Sequence, residues 1–188
     1  MSYYHKYLKY KQKYNQLKGG VDNEEYYYHG SKFKITDFLE PRPSRVIDGD
    51  EAVFATNTRW LAIYFIASPR DTDIEVGFIH NDPYIMEQWP GAFDKVLRNK
   101  RGYLYSVKKD QFHSDPRLGM KRHEFISDDK VKIEKTEVID DVYEEIEKAD
   151  VAIIDFSMKE EFIAEAIQKL KGDKQKKKQQ PKQPGERF

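Results

Sequence analysis

The sequence has no cysteine among its 188 residues. That absence excludes a disulfide framework, a thiolate zinc site and a cysteine nucleophile. No stretch approaches the ~18 apolar residues that a membrane-spanning helix needs, and the N-terminus has no apolar run of the secretory type. We therefore expect a protein that works in an aqueous, intracellular compartment.

The chain also has no net charge, since 33 Lys and Arg balance 33 Asp and Glu, but the charges are unevenly distributed. Residues 1–20 contain five lysines and no acid, and residues 171–188 contain seven basic and two acidic residues, so each end carries +5. The middle contains 31 acidic and 21 basic residues. Because an acidic surface repels phosphate backbones, weak electrostatic contacts with nucleic acid or a partner are expected at the two ends.

Composition divides the chain into an N-terminal arm (1–20), one globular domain (21–171) and a C-terminal tail (172–188). The arm repeats tyrosines at helical spacing among lysines and predicts a basic amphipathic helix. Such a helix either packs its tyrosines on its own domain or binds a membrane surface, nucleic acid or a partner helix. The tail is rich in Lys, Gln and Pro and is predicted to be disordered.

Short strands dominate the domain without a regular βαβ alternation, which predicts an α+β fold. Aromatic and β-branched content predicts strands over 26–29, 52–55, 75–79, 102–107, 123–127 and 131–139. One helix is predicted to start at Thr56 or Asn57 and run to Ala67. Another is predicted from Ser157, which forms a capping box with Glu160, to about 172. Loops are predicted over 41–50, 68–73 and 82–91.

Two segments carry groups that suit a planar, polar ligand. The first is His29-Gly30-Ser31 at a strand end, where an imidazole and a hydroxyl flank a backbone that a ligand can approach closely. The second pairs the strand Val53-Phe54-Ala55 with a helix in which the small Ala62 allows close packing and Tyr64 offers a ring for stacking. An ordinary turn and a core tyrosine are the structural alternatives.

A third segment, Glu124-Phe125-Ile126, places a carboxylate at the start of a strand. In a cleft, such a group becomes a charge stabiliser or a base, whereas on a surface it is merely solvated.

Together the three segments resemble the diphtheria-toxin and poly(ADP-ribose) polymerase group of ADP-ribosyltransferases. His29-Gly30-Ser31 is similar to the first motif of that family. Phe54-Ala55 with Ala62 and Tyr64 is similar to its second strand and helix, and Glu124-Phe125-Ile126 is similar to the strand that carries its catalytic acid.

The resemblance implies split antiparallel sheets with few flanking helices, and cleavage of the nicotinamide–ribose bond of NAD without a metal. It implies that Glu124 is the catalytic carboxylate, that Gly30 holds the carboxamide and that Tyr64 stacks on nicotinamide. His29 and Ser31 are implied to bind the adenosine-side ribose. Phe54 belongs to the same implied site. Arg42 and Arg45 are either pyrophosphate ligands or part of a solvated loop.

Two interpretations lead, ahead of a related phosphotransferase on this fold or an interaction protein of unrelated design, such as a virion component that bridges nucleic acid through its basic ends. The first is a mono-ADP-ribosyltransferase that transfers ADP-ribose to a protein or nucleic-acid acceptor. The second is a catalytically inactive module that binds NAD, ADP-ribose or a protein on the same fold, favoured by Val53, where the family usually has tyrosine. Residues 6–14 also resemble leader segments of proteins from amoeba-infecting giant viruses, which implies a location in host cytoplasm or virion.

Four further features are weaker. His80 with Asp82, and His113 with Asp115, lack the helical spacing and additional ligands of a metal site. The turns at 89–91 and 117–119 either cover a ligand site or belong to ordinary core and turn structure.

Overall fold

The computed structural model describes residues 25–79, 81–120 and 122–168. The N-terminal arm, the C-terminal tail and His80 therefore lie outside the described residues. The strands are β1 Tyr26–Ser31, β2 Phe38–Leu39, β3 Arg42–Pro43, β4 Glu51–Thr56, β5 Ile74–Ile79, β6 Asp82–Glu87, β7 Gly102–Lys108, β8 Glu124–Ser127, β9 Val131–Lys132, β10 Lys135–Ile139 and β11 Ala152–Ile154. The helices are α1 Arg59–Ile66, α2 Ala92–Val96, α3 Val142–Glu147 and α4, which covers residues 159–168. Single 3-10 turns span Arg45–Ile47, Lys109–Gln111 and Phe156–Met158.

The main sheet has the strand order β10-β7-β1-β4-β3, and β8 pairs with β4. All of these pairs are antiparallel. A second sheet has the order β11-β6-β5, in which β11 and β6 are parallel, and β2 with β9 forms a small separate ladder. The α+β class expected from the sequence is confirmed, with mostly antiparallel strands and few helices.

Helix α1 lies at the centre of the largest apolar cluster. The cluster joins Leu61 and Ile66 of α1 to Leu104 of β7 and to Ile74 and Ile85 of the second sheet. Helix α1 is almost entirely apolar, and neighbouring elements accordingly bury most of its circumference. A second cluster, with Tyr105 and Val131, fills the opposite face of the main sheet. Successive residues of β7 therefore serve different faces, as strand geometry requires.

Several predicted boundaries need correction. Helix α1 begins after Thr58, which makes no side-chain capping bond, rather than after Thr56 or Asn57. Ser157 lies inside a 3-10 turn, so the predicted capping box does not form. At the start of this turn, the buried Glu87 carboxylate accepts a hydrogen bond from the Phe156 N–H. The predicted loop over 82–91 contains strand β6, and the predicted strand 131–139 is divided into β9 and β10.

The main sheet opens between β1 and β4. Strand β1 pairs with β7 along its whole length, but it meets β4 at one pair, Tyr28 with Thr56. Beyond that pair the Phe54 carbonyl accepts a 2.7 Å hydrogen bond from Nδ1 of His29. The imidazole thus satisfies a backbone group that a continuous ladder would have paired. This opening positions the candidate site.

Candidate functional site

A cavity of about 220 Å³ lies where β1, β4, β8 and α1 meet, and we call it the Glu124 cavity. It is lined by Tyr28, His29, Gly30, Ser44, Val46, Phe54, Ala55, Thr56, Ala62, Phe65 and Glu124. The three segments singled out in the sequence therefore all contribute to one cavity, although not through every residue predicted.

A second cavity of about 260 Å³, the Arg42 cavity, adjoins the first. The two share His29, Ser44 and Phe54, and the second adds Arg42 and Glu40 together with apolar residues. Small-molecule sites usually measure roughly 300–1,000 Å³. Each cavity alone is below that range, whereas the adjoining pair reaches it.

His29 stands between the cavities in a fixed orientation. Its Nδ1–H donates to the Phe54 carbonyl, so the neutral ring presents Nε2 as an acceptor. Burial lowers the pKa of His29, the bond to Phe54 partly opposes that change, and the charge of Arg42 lowers the pKa further. The imidazole is therefore neutral at pH 7, and Nε2 can accept a hydrogen bond from a sugar hydroxyl.

Glu124 is held by a short loop that precedes β8. Its Oε2 accepts a 2.9 Å hydrogen bond from the Met120 N–H, and its own N–H donates to the Met120 carbonyl, also at 2.9 Å. Burial raises the pKa of Glu124, and the bond from Met120 opposes that rise. A carboxylate in such a partly desolvated wall interacts more strongly with a nearby positive charge than one in water does.

Gly30 lines the Glu124 cavity, but its missing side chain has a different use from the one predicted. A Cβ built on Gly30 would overlap the carbonyl oxygen of Ala62 and lie 3.0 Å from Cγ1 of Ile66. The side of Gly30 that would carry a side chain therefore faces α1, not a ligand. The close approach of α1 to β1 at this point involves the backbone of Ala62, so the role predicted for its small side chain stays a prediction.

Tyr64 does not reach either cavity. Its side chain is 2% exposed within the main core, and its hydroxyl donates to the Ile74 carbonyl at 3.0 Å. The stacking role predicted for Tyr64 is therefore unavailable in this structure. The neighbouring Phe65 is 37% exposed and lines the Glu124 cavity, so that the aromatic groups on its walls include Phe65 and Phe54.

Of the remaining residues predicted to bind NAD, one lines a cavity and two do not. Arg42 is exposed and lines the Arg42 cavity. Arg45 is exposed and lines neither cavity. The Ser31 hydroxyl accepts from the Phe33 N–H at 3.2 Å and also lies outside both linings.

Sequence reasoning missed several lining residues, and two of them, Ser44 and Val46, lie in one turn. They belong to the turn between β3 and β4, a predicted loop in which sequence reasoning singled out only Arg42 and Arg45. The Ser44 hydroxyl accepts from the Val46 N–H at 3.2 Å, and the Val46 side chain is 54% exposed.

The residues of the weaker predictions that the structure describes make side-chain contacts within the protein. Asp115 binds Arg117, and His113 lies 3.8 Å from Asp128. Within residues 25–79, 81–120 and 122–168, no cluster of three His, Asp or Glu side chains could hold a metal ion. Trp89 packs against the main core and donates from Nε1 to Asp73, which favours the core-and-turn alternative for that segment.

The chain was compared with protein-family models, curated proteins and solved structures, and none of the three comparisons gave a significant match. Among the helices of the described ranges, none is both long and apolar enough to cross a membrane.

Proposed function

We propose that the two adjoining cavities bind NAD and that the protein is a mono-ADP-ribosyltransferase. The nicotinamide half would occupy the Glu124 cavity, and the adenosine half would occupy the Arg42 cavity. One observation carries this proposal: a carboxylate and a guanidinium line two cavities that meet at a single neutral imidazole, His29.

The proposed reaction breaks the bond between the nicotinamide nitrogen and C1′ of the ribose. The bonding electrons leave with nicotinamide, and the sugar develops positive charge like that of a glycosidase oxocarbenium ion. An acceptor nucleophile then bonds to C1′ and loses its proton. The ionised Glu124 lowers the barrier because it interacts more strongly with the charged transition state than with the ground state.

The remaining residues bind rather than react. The Gly30 backbone would hold the nicotinamide carboxamide, and Phe65 would offer an apolar ring to the nicotinamide face, since both residues line the Glu124 cavity. His29 Nε2 is an acceptor for a ribose hydroxyl, and Arg42 supplies positive charge for the pyrophosphate.

A second candidate function is an inactive NAD- or ADP-ribose-binding module on the same cavities. It is favoured by the bond from the Met120 N–H to Glu124, which already uses one carboxylate oxygen. It is also favoured by the burial of Tyr64 in the main core, which keeps the predicted stacking ring out of both cavities.

Release of nicotinamide from NAD labelled in its nicotinamide ring separates the two functions. In this assay water serves as the acceptor, whereas a protein or nucleic-acid nucleophile is the acceptor expected in the cell. Glu124→Gln keeps the volume of the side chain and should slow nicotinamide release about 10²–10³-fold. Its Kd for NAD should remain within about threefold of the parent's.

Glu51→Gln is the matched control, because Glu51 is an exposed carboxylate on β4 that lines neither cavity. It should release nicotinamide at the parent rate. Equal background release from the parent and Glu124→Gln, with binding retained, would support the module instead. Absence of both binding and release would reject both functions.

A further inference from the structure

Arg117 connects two loops that are far apart in the sequence. Its Nη1 donates to the Ile47 carbonyl at 3.0 Å and to Oδ2 of Asp50 at 2.9 Å. Its Nη2 donates to Oδ2 of Asp115 at 2.8 Å. The pairing with Asp115 and Asp50 raises the pKa of Arg117, and the same contact lowers the pKa of Asp115 to about 2. The guanidinium is thus charged at all working pH values, and its planar set of donors is occupied on both sides.

The first of these loops forms the edge of both cavities. It spans residues 44–50, which we call the rim loop, and it closes on itself through bonds from the Gly49 N–H to the Ser44 carbonyl and from the Ser44 N–H to the Asp50 carbonyl. Ser44 lines both cavities, and Val46 lines the Glu124 cavity. A shift of the rim loop would therefore change the lining of both cavities.

The second loop supports Glu124. It starts at Asp115, places the buried Leu118 in an apolar cluster with Ile47 and Ile126, and reaches Met120, whose N–H binds the Glu124 carboxylate. Phe54, which lines both cavities, packs against the same cluster. One guanidinium thus joins the loop that carries one edge of the cavities to the loop that holds the opposite wall.

We propose that Arg117 is a positioning residue that fixes the rim loop over the cavities and thereby sets the affinity for the dinucleotide. It lines neither cavity, so it acts through Ser44 and Val46. This inference rests on the proposed function for its ligand, whereas its claim about the rim loop can be measured without one. The Arg117 side chain is 37% exposed, so its substitution also removes some buried surface, and the fold of each variant must be checked.

The test compares Arg117→Gln and Arg117→Lys with the parent in two measurements. Hydrogen exchange should quicken at the amides of Ile47, Gly49 and Asp50 in Arg117→Gln, because their bonds close the rim loop. In Arg117→Gln the KM for NAD in nicotinamide release should rise about tenfold, while kcat stays within about twofold of the parent value. A change of this size is expected when the rim loop loses one charge-assisted hydrogen bond that holds it in place. Arg117→Lys keeps the charge but cannot reproduce the planar set of donors, so it should recover only part of the affinity.

Arg101→Gln is the matched control. Arg101 also forms an exposed pair, with Asp140, but lines neither cavity. It should leave both measurements at parent values. Circular dichroism and the urea midpoint of each variant show whether it is folded, and Asp50→Asn repeats the test with a smaller change.

The outcomes separate this inference from the proposed function. Parent-like exchange in residues 44–50 of both Arg117→Gln and Asp50→Asn would overturn the inference, whatever the activity. So would an unchanged KM with a lower kcat. If the parent neither binds nor cleaves NAD, the proposed function fails, and the exchange measurement alone decides whether Arg117 fixes the rim loop.

Discussion

Substitution of Gly30 by alanine tests whether the missing side chain serves helix packing or ligand approach. The added Cβ would overlap the Ala62 carbonyl oxygen, and it would lie 2.9 Å from the carbonyl carbon of Ala62 and 3.0 Å from Cγ1 of Ile66. The contact with Ala62 is to backbone, which cannot rotate away as a side chain can. Helix α1 must therefore move by roughly 1.5 Å to restore ordinary contact distances.

The energetic cost follows from what α1 carries. Leu61, Ile63 and Ile66 are at most 1% exposed, so a displaced α1 disturbs well-packed side chains. Overpacking usually costs about 1–3 kcal/mol, and a clash with backbone places this case near 3 kcal/mol. At roughly 2–4 °C per kcal/mol for a protein of this size, the Tm should fall by about 10 °C.

Urea unfolding followed by tryptophan fluorescence measures this loss, because Trp60 lies on α1 itself. Gly119→Ala is the matched control: a Cβ at Gly119 meets no atom within 4 Å. Its free energy of unfolding should change by less than about 0.5 kcal/mol. A Gly30→Ala protein with the parent's urea midpoint but reduced affinity for NAD would refute the packing argument and restore ligand approach as the reason for this glycine.

Three further substitutions test Tyr64, Phe65 and His29. Tyr64→Phe loses one buried hydrogen bond to Ile74, so it should reduce the free energy of unfolding by about 1 kcal/mol without changing NAD affinity. Phe65→Ala should weaken NAD binding about tenfold with a smaller loss of stability. Isothermal titration calorimetry measures the affinity of each variant, and urea unfolding measures its stability. The lowered pKa of His29 means that the unfolded chain binds more protons below pH 6.5, so stability should fall as pH falls through that value. His29→Gln should remove this part of the pH dependence of the urea midpoint, and an identical slope in parent and variant would contradict the assignment.

Much of the framework could be predicted from the sequence. Strands β1, β4 and β8 are rich in aromatic and β-branched residues, and their segments carry His29, Phe54 and Glu124 into one cavity. Strand β6 was missed because Pro83 suggested a loop. Pro83 pairs with Phe78 of β5 but precedes the residues that pair with β11, so its lack of an N–H is tolerated there.

The choice between Tyr64 and Phe65 could not be made from the sequence. Helix α1 reads Arg-Trp-Leu-Ala-Ile-Tyr-Phe-Ile, and a helix without a polar face gives no periodicity that separates cavity from core. The rim loop is a similar case. Its contact with Arg117 joins positions 70 residues apart, and no local pattern indicates such a contact.

The separation of β1 from β4 after one ladder pair has a consequence for how occupancy and folding are linked. A molecule held between these strands would act as the absent rungs of the sheet, replacing backbone pairing with its own polar groups. Ligand binding would then stabilise the folded state, so that the melting temperature would rise with the concentration of the ligand. The place where β1 and β4 share a single ladder pair would then be where a bound molecule adds most to the stability of the sheet.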